Sequence, residues 1–192
     1  MSRRLTAAVA VASALVLAAP VASAQDTTVV RAKDATGDVK VIDAGSLSSE
    51  QLRSIDLRRV KVKLGAESTR FVVKIARFTT SKKFEQMVFI TLKSPNGADP
   101  AYETYLGMSA QSPKDSYANY VPDITGEDIE VCDPLTAVVK RGFKTLTLDV
   151  PHRCIPEGPV KIRVTSATGA FRSEGPGNSR DALRIKGAYV LK

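Results

Sequence analysis

The fold is decided by Asp56-Leu-Arg-Arg-Val60-Lys-Val62-Lys-Leu64, a Gly65-Ala-Glu-Ser loop, and Arg70-Phe71-Val-Val-Lys-Ile-Ala-Arg-Phe78. Apolar and charged residues alternate in both runs, so the apolar side chains share one face of each strand. Two such runs around a short glycine-containing loop predict an antiparallel β-hairpin with one solvated face. The predicted inward residues are Val60, Val62, Leu64, Phe71, Val73 and Ile75.

Similar runs follow at spacings of roughly 8–12 residues. Residues 87–92 are apolar on both faces, which predicts a central strand. Residues 137–140 and 144–150 predict a second hairpin around Arg141-Gly142. Further strands are predicted at 102–108, 117–121, 160–165 and 183–190. The pattern indicates an all-β fold, namely an antiparallel β-sandwich of jelly-roll or immunoglobulin-like type, with a barrel as the alternative.

Helical signals are few. Helix-forming residues behind a serine cap predict one or two turns over residues 46–53, and a further turn is predicted within residues 79–86. The polar stretch at residues 171–180 is predicted to be a loop. Because no repeat or linker interrupts the chain, residues 25–192 are predicted to form a single domain.

The first 24 residues have the parts of a secretory signal peptide. Arg3 and Arg4 give a positive start, residues 5–19 are uncharged and apolar, and Ala22-Ser-Ala24 supplies a small-x-small cleavage site. We therefore expect residues 1–24 to be removed and the protein to be secreted. No later segment reaches the roughly 18 apolar residues of a membrane span, so we expect no stable membrane insertion.

The chain is basic. Beyond residue 24 it has 26 Lys and Arg against 20 Asp and Glu, a net charge of +6. This balance favours anionic partners such as acidic glycans, cell-wall polymers or lipid headgroups; the alternative is that the charge only keeps the protein soluble. The aromatic residues between the cations of residues 70–78 belong to the predicted core face, so we do not expect nucleic-acid binding.

The two cysteines, Cys132 and Cys154, predict one disulfide in an oxidising compartment. A metal site is the alternative, but no Cys-x-x-Cys and no second histidine lies nearby. An oxidised Cys154 is not a nucleophile, which leaves His152, the single histidine, without an evident catalytic partner. We therefore assign no catalytic residue.

Asp34-Ala-Thr-Gly37-Asp38 places two carboxylates around a glycine turn. Because Ca²⁺ prefers oxygen ligands and tight loops can supply them, Asp34 and Asp38 are predicted to hold a structural Ca²⁺ ion, the one cofactor we consider. The alternative is an Asx-type turn in which both side chains bond to their own backbone. A second acidic segment, residues 123–133, is either another cation site or a solvated loop.

Two sheet faces are predicted to bind an anionic ligand. Arg59, Lys61 and Lys63 fall on the charged face of the first hairpin, and Lys161 and Arg163 alternate in the same way on a later strand.

Four tyrosines lie on two neighbouring predicted strands, and one ring from each strand is expected to share a face. They form a candidate glycan platform, with ordinary half-buried packing as the alternative. These residues are Tyr102, Tyr105, Tyr117 and Tyr120.

The pattern Asp34-x-x-Gly37-Asp38, Ile55-Asp-Leu-x-x-Val60-x-Val62 and Phe71-Val-Val-x-Ile75 resembles the opening of DOMON-like and family 9 carbohydrate-binding sandwiches. With Val150-Pro-x-x-Cys154 and Val160-x-Ile162-x-Val164, it is similar to a group of uncharacterised secreted actinobacterial proteins.

The resemblance implies a β-sandwich, and in the carbohydrate-binding modules acidic residues near the first strands can hold structural calcium. The chain departs from those modules because it has no Trp to sandwich a sugar. A lone His152 without an evident partner Met also disfavours the haem ligation of other relatives.

Taken together, these features predict a secreted, non-catalytic, monomeric binding module for an anionic polysaccharide or cell-wall polymer. One alternative is a secreted hydrolase that uses two carboxylates. The other is a structural envelope protein without a ligand.

Overall fold

The structure is a computed structural model that describes residues 26–42, 47–79, 84–95, 103–121, 130–132, 135–168 and 179–192. The predicted signal peptide, Tyr102, residues 123–129 and 133 of the second acidic segment, residues 80–83 of the turn predicted within 79–86, and most of the predicted loop at 171–180 lie outside these ranges.

The described strands form two antiparallel sheets. The smaller sheet contains β1 (Thr27–Lys33), β3 (Leu57–Leu64), β4 (Ser68–Ile75), β9 (Ala137–Lys140) and β10 (Thr145–Pro151). The larger sheet contains β2 (Lys40–Val41), β5 (Met87–Lys93), β6 (Glu103–Ser109), β7 (Tyr117–Val121), β8 (Glu130–Val131), β11 (Pro159–Thr168), β12 (Ser179–Arg184) and β13 (Tyr189–Val190). The strand orders are β1–β3–β4–β10–β9 and β2–β12–β11–β5–β6–β7–β8, with β13 paired to β11.

The predicted first hairpin is confirmed as β3 and β4. Their register pairs Val62 with Phe71 and Val60 with Val73, so the alternating apolar residues meet on one face. These four side chains are fully buried. Leu64, at the end of β3, is half-buried.

The apolar strand β5 is central in the larger sheet, between β11 and β6, as its composition predicts. Its residues Val88, Ile90 and Leu92 are buried together with Leu106 of β6. They belong to the same hydrophobic cluster as the inward residues of the smaller sheet. The fold is therefore an all-β antiparallel sandwich, which confirms the predicted class.

One α-helix, α1 (Ser49–Ile55), precedes β3. It begins with a capping box, because Ser48 Oγ accepts a hydrogen bond from Gln51 N–H and Gln51 Oε1 accepts one from Ser48 N–H. The helix ends at Ile55, two residues later than predicted, with Asp56 as its C-cap. Within the described ranges, no helix has the length and apolarity needed to cross a membrane.

The C-terminal strands differ from the prediction of one strand over residues 183–190. β12 begins at Ser179, inside the predicted loop, and the chain bends at Lys186 and Gly187 before the short strand β13. In β12 the inward positions hold Ser179 and Asp181, so burial no longer follows hydrophobicity and the apolar alternation that marks a strand is lost.

Two of the contacts that join the sheets lie toward opposite edges of the sandwich. Cys132, after β8, forms the predicted disulfide with Cys154, after β10, and their Cα atoms are 5.8 Å apart. On the β12 side, Asp181 Oδ2 accepts a hydrogen bond from Leu57 N–H at 2.7 Å, at the start of β3. A covalent bond thus connects the sheets on one side and a buried carboxylate on the other.

We expect replacement of both cysteines by alanine to lower the free energy of unfolding by about 3 kcal/mol, because the bond closes a loop of 22 residues in the unfolded chain. Urea denaturation measures the loss. Reductant should weaken the native protein to a similar extent and leave the double variant unchanged. A free thiol detected by mass spectrometry in the native protein would contradict the pairing.

Candidate functional site

The outward face of the smaller sheet is lined with cations. Arg59, Lys61 and Lys63 point away from the core on β3, as their alternation with buried residues predicts. Outward residues of β1, β4 and β9 extend the same surface. We call the following eight residues the basic face: Arg31, Lys33, Arg59, Lys61, Lys63, Arg70, Lys74 and Lys140.

Like charges lie directly opposite one another on the basic face. The register of β1 and β3 pairs Arg31 with Lys61 and Lys33 with Arg59. The register of β3 and β4 continues the row, because Arg59 faces Lys74. Opposed like charges on neighbouring strands destabilise a sheet, so this arrangement has an electrostatic cost in the free protein.

Only Arg70 of the basic face is paired with acids among the described residues. Its Nε lies 2.7 Å from Asp149 Oδ1 and its Nη1 lies 2.6 Å from Asp26 Oδ2, while Lys63 faces it across the strands. The other seven cations have no described carboxylate within salt-bridge distance. The face therefore keeps most of its positive charge.

The basic face contains a shallow depression of about 570 Å³. Lys61, Lys63 and Lys140 line it together with Val138 and Phe143. The Phe143 side chain is 75% exposed, so an apolar contact is available beside the charges.

The larger sheet carries the second predicted basic pair, Lys161 and Arg163. Arg163 faces Arg184 across β11 and β12, and Lys161 faces Lys93 across β11 and β5. Lys93 Nζ lies 3.8 Å from a Glu103 carboxylate oxygen, so an acid reduces the charge of this patch. The five residues line a depression of about 460 Å³.

The structure describes the side chains of two of the four predicted platform tyrosines. Tyr105, 40% exposed, and Tyr117, half-buried, both lie on the outer face of the larger sheet. A Cβ at Gly107 would lie 2.3 Å from the Tyr117 ring, so this ring packs on the glycine. Tyr102 and the side chain of Tyr120 lie outside the described residues. The glycan platform stays a prediction.

Carboxylates gather where β1 ends beside β12. One oxygen each of Asp34, Asp38 and Asp181 lies within 4.8 Å of the other two. Asp34 and Asp38 flank a turn in which Gly37 has a φ of +74°, a conformation that favours glycine. Asp181 comes from β12 and is 3% exposed. We call these three residues the acidic triad.

A fourth carboxylate, that of Asp56, lies beneath the same turn. Its Oδ2 accepts hydrogen bonds from Gly37 N–H at 3.2 Å and from Arg58 Nη2 at 2.7 Å. A bulge in β3 lies at Arg58, and the Arg58 guanidinium also donates to the Thr36 hydroxyl. The bulge interrupts the alternation of side chains at this point. The adjacent arginines therefore take different positions, because Arg58 bonds to Asp56 whereas Arg59 lies on the outer face.

Burial perturbs these acids. The pKa of Asp181 is raised to about 6, mainly by burial and also by the charges of Asp34 and Asp38, while hydrogen bonds from the Leu57 and Ala182 N–H groups oppose the rise. Burial also raises the pKa of Asp34 and of Asp56, although the Gly37 N–H and Arg58 act in the opposite direction on Asp56. The cluster as a whole therefore favours the binding of positive charge.

The sequence predicts part of this cluster. Asp34 and Asp38 are predicted together, whereas Asp56 and Asp181 are missed. In the sequence Asp56 only opens the alternating run of the first hairpin, which gives no sign of a site. Asp181 occupies an inward position of Ser179-Arg-Asp-Ala-Leu-Arg184, where polar residues at the inward positions 179 and 181 leave no apolar alternation that would identify it.

His152 lies in a 3₁₀ helix, His152–Cys154, next to the disulfide. Its Nε2 is buried and has no hydrogen-bond partner in the part of the chain that the structure describes. Its backbone N–H donates to Glu67 O at 2.9 Å. These contacts place His152 in the packing around the disulfide.

Comparisons of the chain with protein-family models, curated proteins and solved structures found no match. The evidence that bears on function therefore lies in the two charged regions, the basic face and the acidic triad.

Adjacent arginines allow a direct test of this charge arrangement. Arg58→Ala leaves the buried Asp56 carboxylate without its cation beside three other acids, so we expect it to lower the free energy of unfolding by about 2 kcal/mol. Arg59→Ala, the matched control, removes a cation that faces Lys33 and Lys74, so we expect a change within about 0.5 kcal/mol or a slight stabilisation. Urea denaturation compares them. Equal effects of the two substitutions would contradict the arrangement.

Proposed function

We propose that this protein is a secreted, non-catalytic binding module whose basic face binds a linear anionic polymer, such as an acidic polysaccharide or a phosphate-bearing cell-wall polymer. The observation that carries the proposal is the pairing of like charges across β1, β3 and β4 without described acids to neutralise seven of the eight cations. A surface that only maintains solubility is expected to intersperse both signs.

The geometry of the face supports a polymer rather than a small anion. The backbone positions that carry the cations repeat about 4.8 Å apart across the strands and about 6.8 Å apart along them, on an open surface. A small anion would reach only two or three of these charges. A chain with regularly spaced phosphates or carboxylates would lie across the strands and relieve the repulsion in each row.

The compartment is part of the proposal. The disulfide between Cys132 and Cys154 fits an oxidising environment, where polymers of the cell surface are accessible. The signal peptide and the monomeric state stay predictions, and both agree with a module that acts outside the cell.

The hydrolase alternative rests on the acids. Retaining glycosidases place two carboxyl groups about 5–5.5 Å apart, a separation similar to that in the acidic triad. Both groups must reach the sugar, however. Asp181 is 3% exposed with Oδ2 engaged by Leu57 N–H, and Asp34 Oδ2 is also buried, so every pair within the triad includes an acid that is buried at least in part. Binding without hydrolysis is therefore the better-supported function.

Polymer binding can be tested with two variants that change the net charge equally. Lys61→Glu/Lys63→Glu reverses two charges on the basic face, where the new carboxylates would lie opposite Arg31 and Arg70 and preserve the fold. The control, Lys114→Glu/Lys186→Glu, reverses two exposed cations outside the sheet faces. We expect the first variant to bind at least about tenfold more weakly at low salt. We also expect the slope of log K against log[salt] to be shallower by roughly one for each lost contact.

The measurement is retention on immobilised polygalacturonate and on long-chain polyphosphate, from about 20 mM to about 500 mM NaCl, with uncharged dextran as the blank. These two polymers distinguish carboxylate from phosphate ligands. Equal losses in both variants would overturn the proposal, since net charge alone would then suffice. A third variant, Arg163→Glu/Arg184→Glu, tests the larger sheet, and loss of binding in this variant alone would assign binding to that sheet instead. Release of reducing sugar or phosphate would favour the hydrolase.

A further inference from the structure

The acidic triad brings together carboxylates from distant parts of the chain. Asp34 and Asp38 follow β1 of the smaller sheet, and Asp181 belongs to β12 of the larger sheet. Their three oxygens lie within 4.8 Å of one another. Two oxygens bound to one Ca²⁺ ion at 2.3–2.6 Å can be no farther apart than roughly 4.6–5.2 Å. The triad can therefore bind a single ion without large rearrangement.

No cation in the described part of the chain forms a salt bridge with the triad. Among the described residues, none of the six salt bridges involves Asp34, Asp38 or Asp181. Arg58, the nearest cation in the hydrogen-bond network, is bonded to Asp56. A depression of about 270 Å³ beside Asp38 and Asp181 is also lined by four cations, Lys40, Arg163, Arg180 and Arg184, and none of them lies within 4.0 Å of either carboxylate.

An independent observation also indicates a missing positive charge. The Asp56 side chain is 3% exposed, and its Oδ1 has no hydrogen-bond partner within the described ranges. Its other oxygen accepts from the N–H of Gly37, inside the turn that carries Asp34 and Asp38. Asp34 Oδ2 is likewise buried and unpartnered. Buried carboxylate oxygens normally have a hydrogen-bond donor or a metal ion as partner.

We propose that Asp34, Asp38 and Asp181 bind one divalent cation of the calcium class, with Asp56 as the buried carboxylate behind it. Among the described residues, Arg58 is the one cation in salt-bridge contact with these four carboxylates, so a doubly charged ion would reduce the negative charge that remains at close range. Ca²⁺ takes six to eight oxygens, so water and backbone carbonyls complete its coordination. Mg²⁺ binds at 2.0–2.1 Å and requires oxygens no more than about 4.2 Å apart, so it fits this spacing less well.

The ion has a structural role in this proposal. It ties the turn after β1 to β12, beside the hydrogen bond from Leu57 N–H to Asp181. It thus links the two sheets on the side away from the disulfide. The site is separate from the basic face, so loss of polymer binding and loss of cation binding are distinguishable.

The test uses the full mature protein after chelator treatment. We expect saturating Ca²⁺ to raise the Tm by at least about 5 °C, and equimolar Mg²⁺ to raise it less. Isothermal titration calorimetry should give one Ca²⁺ per chain. Asp38→Asn, at an exposed position, should abolish the Ca²⁺-dependent rise, while the matched control Asp115→Asn, also exposed, should keep it.

Asp181→Asn provides a test with an opposite sign. Asparagine keeps an oxygen that can accept from Leu57 N–H but removes one buried charge. We expect this variant to be more stable than the native protein without Ca²⁺ and to gain nothing when Ca²⁺ is added. The proposal is wrong if Ca²⁺ leaves the native Tm unchanged, or if Asp38→Asn and Asp181→Asn both respond to Ca²⁺ as the native protein does.

Discussion

The buried carboxylate of Asp181 connects the two sheets of this protein. Its Oδ2 accepts from Leu57 N–H, so an inward position of the larger sheet is bonded to the first residue of β3 in the smaller one. Burying a charge in a sandwich is costly unless the charge is compensated. The turn at Gly37, the bulge at Arg58 and the positions of three further acids all lie around this one group.

Charge is segregated in the molecule. Acids gather at the edge where β1 ends, and cations occupy the outer face of the smaller sheet. The positive and negative regions meet between two neighbouring residues of the chain. Lys33 is the last residue of β1 and belongs to the basic face, and Asp34, which follows it, belongs to the acidic triad. The bulge in β3 separates the charges again, because Arg58 is bonded to Asp56 whereas Arg59 faces cations.

The sequence predicts what depends on local alternation. The β3–β4 hairpin, the central position of β5 and the outward direction of Lys61 and Lys63 all follow from side chains that alternate between two faces. The disulfide follows from the number of cysteines. Asp181 could not be found in this way, because a buried carboxylate breaks the apolar pattern by which an inward position is recognised.

The basic face depends on register, which single-strand patterns do not contain. Each strand shows only that its cations point outward. Whether cations or acids then face one another depends on the pairing of β1 with β3 and of β3 with β4, and here the pairing brings Lys33, Arg59 and Lys74 into one row. A shift of one residue in β1 would turn its cations toward the core. The burial of Val30 opposite Val62 therefore fixes the row, and the hydrophobic core determines where the charges of the outer surface lie.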